Sequence, residues 1–129
     1  MSIELWCLFL AMALGLVHLS AASFAFKAQV GNRYSVGSRE EGLAPTGLAG
    51  RLDRAQRNFL ETFAIFAAAV LMVEMLNEGG WLSAWGAGIY LAGRVLFLPL
   101  YAAGLPWVRT FSWNAATLGL VMVMIEAAI

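Results

Sequence analysis

Four apolar runs, each about as long as a bilayer-spanning helix, leave this chain few ways to fold. A helix crossing the hydrocarbon needs ~20 mostly apolar residues. Ile3 to Phe26 supplies one run, broken only by Glu4 and His18. Phe59 to Leu76 follows with Glu61 and Glu74, Trp81 to Leu105 with Arg94, and Phe111 to Ile129 with Asn114 and Glu126. None alternates polar and apolar residues with period two, which speaks against a membrane barrel. Only 12% of the 129 residues are charged, about half the ~25% of a soluble domain. Too little polar surface remains to cover a water-soluble globule, so the outer surface is expected to face lipid.

The first run begins Met1-Ser2-Ile3-Glu4, without the basic leader of a secretory signal, and it is long. A retained helix is therefore expected. Short connections at Asn77-Glu78-Gly79-Gly80 and Pro106-Trp107-Val108-Arg109 predict antiparallel neighbours, and a longer, polar first connection runs from about Lys27 to Pro45. The expected architecture is all-α: an integral membrane four-helix up-down bundle forming one domain over residues 1–129, with helices at about 3–28, 48–76, 81–104 and 108–128. Pro99 is expected to kink the third span, because it frees a carbonyl of the preceding turn.

Charge placement predicts orientation. Lys27, Arg33, Arg39, Arg51, Arg54, Arg57 and Arg109 fall at one end; Glu4, Glu74, Glu78 and Glu126 fall at the other, which has no Lys or Arg. Lys and Arg stay on the cytoplasmic side, so both termini are expected on the far, periplasmic side. Trp6, Trp81 and Trp85 would mark that outer interface, and Trp107 and Trp113 the inner one. The net charge is zero, so no long-range field favours nucleic acid.

Chemistry concentrates where charges enter the apolar runs. Arg54, Asn58 and Glu61 recur at i, i+4 and i+7, which stacks them on one helix face. Arg57, four residues before Glu61, is within pairing reach of it. On the third span Arg94, Phe97 and Tyr101 share a face, and Arg94 sits roughly 16 Å from that helix end at 1.5 Å per residue. Glu61 is its expected countercharge. A charge within the hydrocarbon costs at least ~2.5–3.5 kcal/mol, so these groups are expected to face protein or a wet cavity. A buried Arg–Glu network holding the bundle together would account for the pair alone. Four arginines around one glutamate exceed neutrality and suggest an anion supplied from outside, such as an elongated carboxylate ligand. Arg109-Thr110 opens the fourth span. It would act either as a snorkelling interfacial arginine or, with the adjacent hydroxyl, as a stabiliser of an anion at a helix N-terminus. His18 is expected to be a packed, satisfied histidine, Cys7 an inert small hydrophobe with no metal or disulfide framework, and Gly15 and Ala22 packing positions. Trp113 would line the pocket or anchor the interface.

The string Arg54-Ala-Gln-Arg57-Asn58-Phe-Leu-Glu61, with Gly93-Arg94, Tyr101, Pro106 and Arg109-Thr110 following, resembles the signatures of the MAPEG family, the membrane-associated proteins of eicosanoid and glutathione metabolism. The likeness covers essentially the whole chain and looks most like the bacterial members. It implies a homotrimer in an inner membrane, with glutathione as cosubstrate, bound between subunits near the cytoplasmic side, and no metal. Carried over by position, Arg54, Arg57, Asn58 and Glu61 would hold glutathione's charged and amide groups. Arg94 would support the polar core and Tyr101 would contact the peptide. Arg109 would stabilise the thiolate, with Thr110 where some members have serine, and Lys27 or Arg33 would add a carboxylate contact. Phe97 departs from the pattern, standing where several members place a polar His or Tyr. The implied activity is a glutathione-dependent transferase or peroxidase acting on lipophilic electrophiles or hydroperoxides that arrive from the bilayer. A non-catalytic lipid- or glutathione-binding protein of the same fold, and an ion or proton relay, remain the competing readings.

Overall fold

Ser2 sets the start of the first helix. Its hydroxyl accepts a hydrogen bond from the Leu5 N–H at 3.1 Å, satisfying one of the free donors that every helix start exposes. The computed structural model describes residues 1–129, and from Ser2 the chain runs as α1 (Ile3–Val30). Gly31, at φ 87°, ends α1 with its N–H on the Lys27 carbonyl at 2.8 Å. A short helix follows, α2 (Asn32–Val36), then α3 (Gly47–Leu76), α4 (Trp81–Ala102) and α5 (Pro106–Ala128). Asn77 closes α3 in the left-handed conformation at φ 57°, which Asn tolerates better than most residues. Helices α1, α3, α4 and α5 are long and apolar enough to cross a membrane, and the fold contains no strand.

Two features of the connections differ from the sequence expectation. The first connection carries α2, a polar turn of helix with no apolar periodicity to announce it. The third span, as expected, is helical through Pro99, and it ends at Ala102 rather than near residue 104. Finally, Pro106 to Arg109 do not form a connector. Proline suits the first position of a helix, where its missing N–H is not needed, and Pro106 opens α5 there. The connection shrinks to Ala103, Gly104 (φ 74°) and Leu105.

Packing is closest between α4 and α5. A Cβ at Gly93 would lie 2.8 Å from the Ser112 carbonyl oxygen, and one at Gly86 2.6 Å from the Gly119 carbonyl oxygen. Small residues let the two backbones touch, as they do in membrane helix pairs generally. The central core holds Phe66 stacked on Tyr90 at 4.0 Å between centroids, with Val70, Val73, Ala87 and Val123. Helix α1 reaches α3 through Gly15, whose missing side chain makes room for the Phe59 ring. The outward faces stay apolar: Phe9, Leu16, Phe24, Met75 and Leu118 are among many exposed large hydrophobics. That pattern suits a lipid solvent and is wrong for water.

The acidic end is tied together by its own carboxylates. Glu4, only 5% exposed, accepts from the Ser83 hydroxyl, and Glu74 accepts from the Ser2 hydroxyl. Glu126 accepts the Ser83 N–H at 2.9 Å, which places a negative charge at the start of α4, where the helix dipole favours it.

Candidate functional site

The polar first turns of α3 lie beside the end of α4 and the start of α5. Arg51 Nε donates to the Ala102 carbonyl at 2.9 Å, and Arg54 Nε donates to the Tyr101 hydroxyl at 3.3 Å. These contacts hold the α4–α5 corner against α3. Between the three helices a cavity of about 220 Å³ opens, lined by Asn58, Phe97, Tyr101, Arg109, Thr110 and Trp113. Arg109, half-buried, sets its guanidinium 4.3 Å from the Tyr101 ring centroid. A cation over an aromatic face is held by the ring's quadrupole, so this guanidinium has a defined seat at the cavity wall. Thr110 donates its hydroxyl to the Pro106 carbonyl at 2.7 Å. In this arrangement its proton goes to the helix turn and its oxygen is left to accept.

Arg94 lies beneath this cavity and is fully buried. It does not pair with Glu61. Its Nη1 donates to Asn58 Oδ1 at 2.8 Å, and the guanidinium rests 4.3 Å from the Phe97 centroid and 5.4 Å from that of Phe59. Nε and Nη2 have no hydrogen-bond partner. Glu61 is exposed on the outside of the bundle, and Arg57 also departs from the expected pairing. Arg57 bonds Asp53, four residues earlier, at 3.2 Å, and stays 74% exposed. Both carboxylates stand four residues from Arg57, one on each side; sequence spacing has no means of choosing between them.

The expectation of four arginines enclosed around one glutamate is thus corrected for the single chain. Arg94 is buried and Arg109 half-buried, while Arg54 and Arg57 lie exposed on α3. The structure brings Asn58, Tyr101, Arg109 and Thr110 to one cavity, with Arg54 and Arg94 each one bond away from it, and leaves Arg57 and Glu61 outside. Trp113, undecided from sequence, lines the cavity, and its buried Nε1 has no partner. His18 is not a satisfied histidine. It is 1% exposed and stacked on Phe59 at 4.8 Å, with both ring nitrogens unpartnered. Lys27 lines a separate cleft of about 620 Å³ between α1, the first connection and α3, and Arg33 lines a shallower groove on that connection.

Sequence reasoning missed Arg51 and Asp53. Their partners, the carbonyl of Ala102 and the side chain of Arg57, are set by how the helices dock and by rotamer choice rather than by periodicity.

A four-span helical membrane protein with a cation-walled cavity at its basic end is the class defined here, and a guanidinium seated on an aromatic ring equips that cavity to receive an anion. The family model of the MAPEG family matches residues 3–129, essentially the whole chain, and the protein belongs to that family. The family includes glutathione transferases and peroxidases along with other members, and generally uses glutathione. Comparison with characterised proteins and with solved structures gave no match.

Proposed function

We propose that the protein is a glutathione-dependent transferase or peroxidase of the membrane, with Arg109 stabilising the glutathione thiolate. The observation carrying this reading is the placement of Arg109 on Tyr101 at the wall of a cavity that also holds Asn58 and Trp113. The thiolate, not the thiol, is nucleophilic, and a neighbouring cation favours ionisation. In transfer, the thiolate sulfur forms a bond to the electrophilic carbon and the leaving group departs with its electron pair. With a hydroperoxide, the sulfur attacks the terminal oxygen and the alcohol leaves. A second glutathione then displaces water from the sulfenic acid, giving the disulfide. The apolar outward faces beside the cavity would let a lipophilic substrate approach from the bilayer, which brings an oily acceptor to a water-soluble thiol.

The ligand site is read as completed by a second copy, within a homotrimer. The cavity of about 220 Å³ falls below the ~300–1,000 Å³ usual for small-ligand sites. Glu61 and Asn114 are also exposed on helices that otherwise face lipid, and for a charge such as that of Glu61 the hydrocarbon disfavours this by at least ~2.5–3.5 kcal/mol at its centre. Packing these faces against a neighbour would join Arg57 and Glu61 to the cavity residues as glutathione ligands. The basic end, with Lys27, Arg51, Arg54, Arg57 and Arg109, is assigned to the cytoplasm, and both termini to the opposite side.

Phe97 favours the second reading, a non-catalytic lipid- or glutathione-binding protein, because it gives the cavity an apolar wall 3% exposed. Purified protein in detergent, assayed with glutathione and either chlorodinitrobenzene or cumene hydroperoxide, separates the two. Turnover that collapses in Arg109→Ala supports the enzyme. Turnover undiminished in that variant removes the thiolate role, and glutathione binding without turnover selects the binding protein.

A further inference from the structure

Arg94 is the largest fully buried side chain in the protein, yet it is not among the six residues lining the cavity. It touches the cavity through two of them, Asn58 and Phe97. An arginine carries only donors. The atom of Asn58 facing it must therefore be the oxygen, because a turned amide would set N–H against N–H. With Oδ1 held at 2.8 Å by Arg94, the hydrogen-bonding capacity Asn58 retains for a ligand is chiefly its N–H₂ group. The other polar groups of the lining are biased the same way, except Thr110, whose hydroxyl gives its proton to the Pro106 carbonyl and keeps an accepting oxygen. Arg109 only donates. The Tyr101 oxygen accepts from Arg54, which leaves its own proton to give, and the buried Trp113 Nε1 is a donor without a partner. Meanwhile no carboxylate lies within 4.0 Å of Arg94 to cancel its charge.

We infer that Arg94 is a positioning residue that fixes the Asn58 amide with its oxygen inward, making the cavity a donor-lined socket that selects anionic or acceptor atoms of its ligand. Carboxylate, thiolate or peptide carbonyl groups would be taken there in preference to ammonium or N–H groups, for which the lining leaves only the Thr110 oxygen. The ligand side of this inference rests on the glutathione reading; the orientation of Asn58 does not.

A double-mutant cycle tests it. Glutathione affinity is measured by calorimetry on detergent-solubilised wild type, Arg94→Met, Asn58→Ala and the double variant. Each single change is expected to weaken binding roughly tenfold, equivalent to about 1.4 kcal/mol, and the double variant should be no weaker than either single one. Additive losses would overturn the coupling. Arg94→Lys, which retains charge and a donor, should recover part of the affinity, and it keeps the cycle usable if Arg94→Met fails to fold. The second readout needs no ligand. The side-chain amide resonances of Asn58, identified by their disappearance in Asn58→Asp, should be well resolved in wild type and collapse toward solvent-averaged positions in Arg94→Met. Unmoved resonances would overturn the positioning role. If wild type binds no glutathione, the ligand reading fails while the amide signal still decides what Arg94 does.

Discussion

Gly119 and Gly86 meet across the α4–α5 seam so closely that a Cβ on Gly119 would collide with the Gly86 carbonyl oxygen and lie 2.6 Å from the Tyr90 nitrogen. Backbone is what it meets, so no flexible side chain can move aside. Gly119→Ala is expected to destabilise the bundle by about 1–3 kcal/mol through overpacking. Gly88→Ala is the control, with nothing within 4 Å of its Cβ, and should leave stability unchanged or raise it slightly. Unfolding titrations in mixed micelles would compare them, and equal behaviour of the two variants would contradict the close seam.

The same seam positions the cavity. Ser112, whose hydroxyl donates to the Gly93 carbonyl, lies three residues after Arg109 on α5, so the register of α4 against α5 fixes where the guanidinium sits over Tyr101. Arg109→Ala should lower kcat with glutathione by roughly 10²–10³-fold, the scale for removing one preorganised stabiliser of developing negative charge. Arg109→Lys should recover only part, because an ammonium lacks the planar fork that stacks on Tyr101. The melting temperature should change little in either variant, since Arg109 is only half-buried and makes no side-chain hydrogen bond. Steady-state kinetics paired with thermal melts check this. A loss of activity matched by a loss of folding would point to structure rather than chemistry.

Arg57 separates stability from binding. Its pair with Asp53 is solvent-exposed, 74% at Arg57 and 31% at Asp53, and exposed pairs contribute about 0–1 kcal/mol. Arg57→Ala should therefore leave the melting temperature within a degree or two of wild type, given the small energy involved. If a neighbouring copy completes the site, the same variant should weaken glutathione binding at least several-fold, and the loss should shrink at high salt. Asp53→Asn, which frees Arg57, should not weaken binding. Equal affinity in wild type and Arg57→Ala would remove Arg57 from the site.

The spans were legible because apolar runs of this length have one stable form in lipid, and the hydrogen-bonding demand of the backbone leaves no other. The cavity was half legible. Asn58, Tyr101 and Arg109 meet at one cavity, but they come from three helices, and periodicity, which orders residues only along one helix, put Glu61 on the same face as Asn58 although it lies outside. Partner choice was not legible. Arg94 had Glu61 within plausible reach but bonds Asn58, and Arg57 had two carboxylates at equal spacing but bonds Asp53. Those choices depend on rotamer and helix rotation, differences of an ångström or two that a one-dimensional pattern does not carry. His18 was misread for a related reason. An aromatic stack on Phe59 satisfies its ring faces while leaving its nitrogens bare, and sequence offers no sign of which contact a lone histidine will make.

Ser83 tests the opposite end of the bundle, independently of any ligand. It is fully buried, gives its hydroxyl proton to Glu4, and its oxygen accepts the Gly80 N–H at 3.0 Å. Ser83→Ala would strip a buried carboxylate of its donor and leave the Gly80 N–H unmatched. Leaving such groups unsatisfied costs about 1–3 kcal/mol each, so the variant should unfold at clearly lower denaturant or temperature. Glu4→Gln should be milder, because the amide oxygen can still accept from Ser83. Turnover per folded molecule should be unchanged in both, since Arg109 and Asn58 lie at the other end of their helices. Denaturation curves and kinetics on the same samples decide the matter: a Ser83→Ala protein as stable as wild type would mean that water already meets these carboxylates and that the clasp around Ser83 contributes nothing to holding α1 against α4.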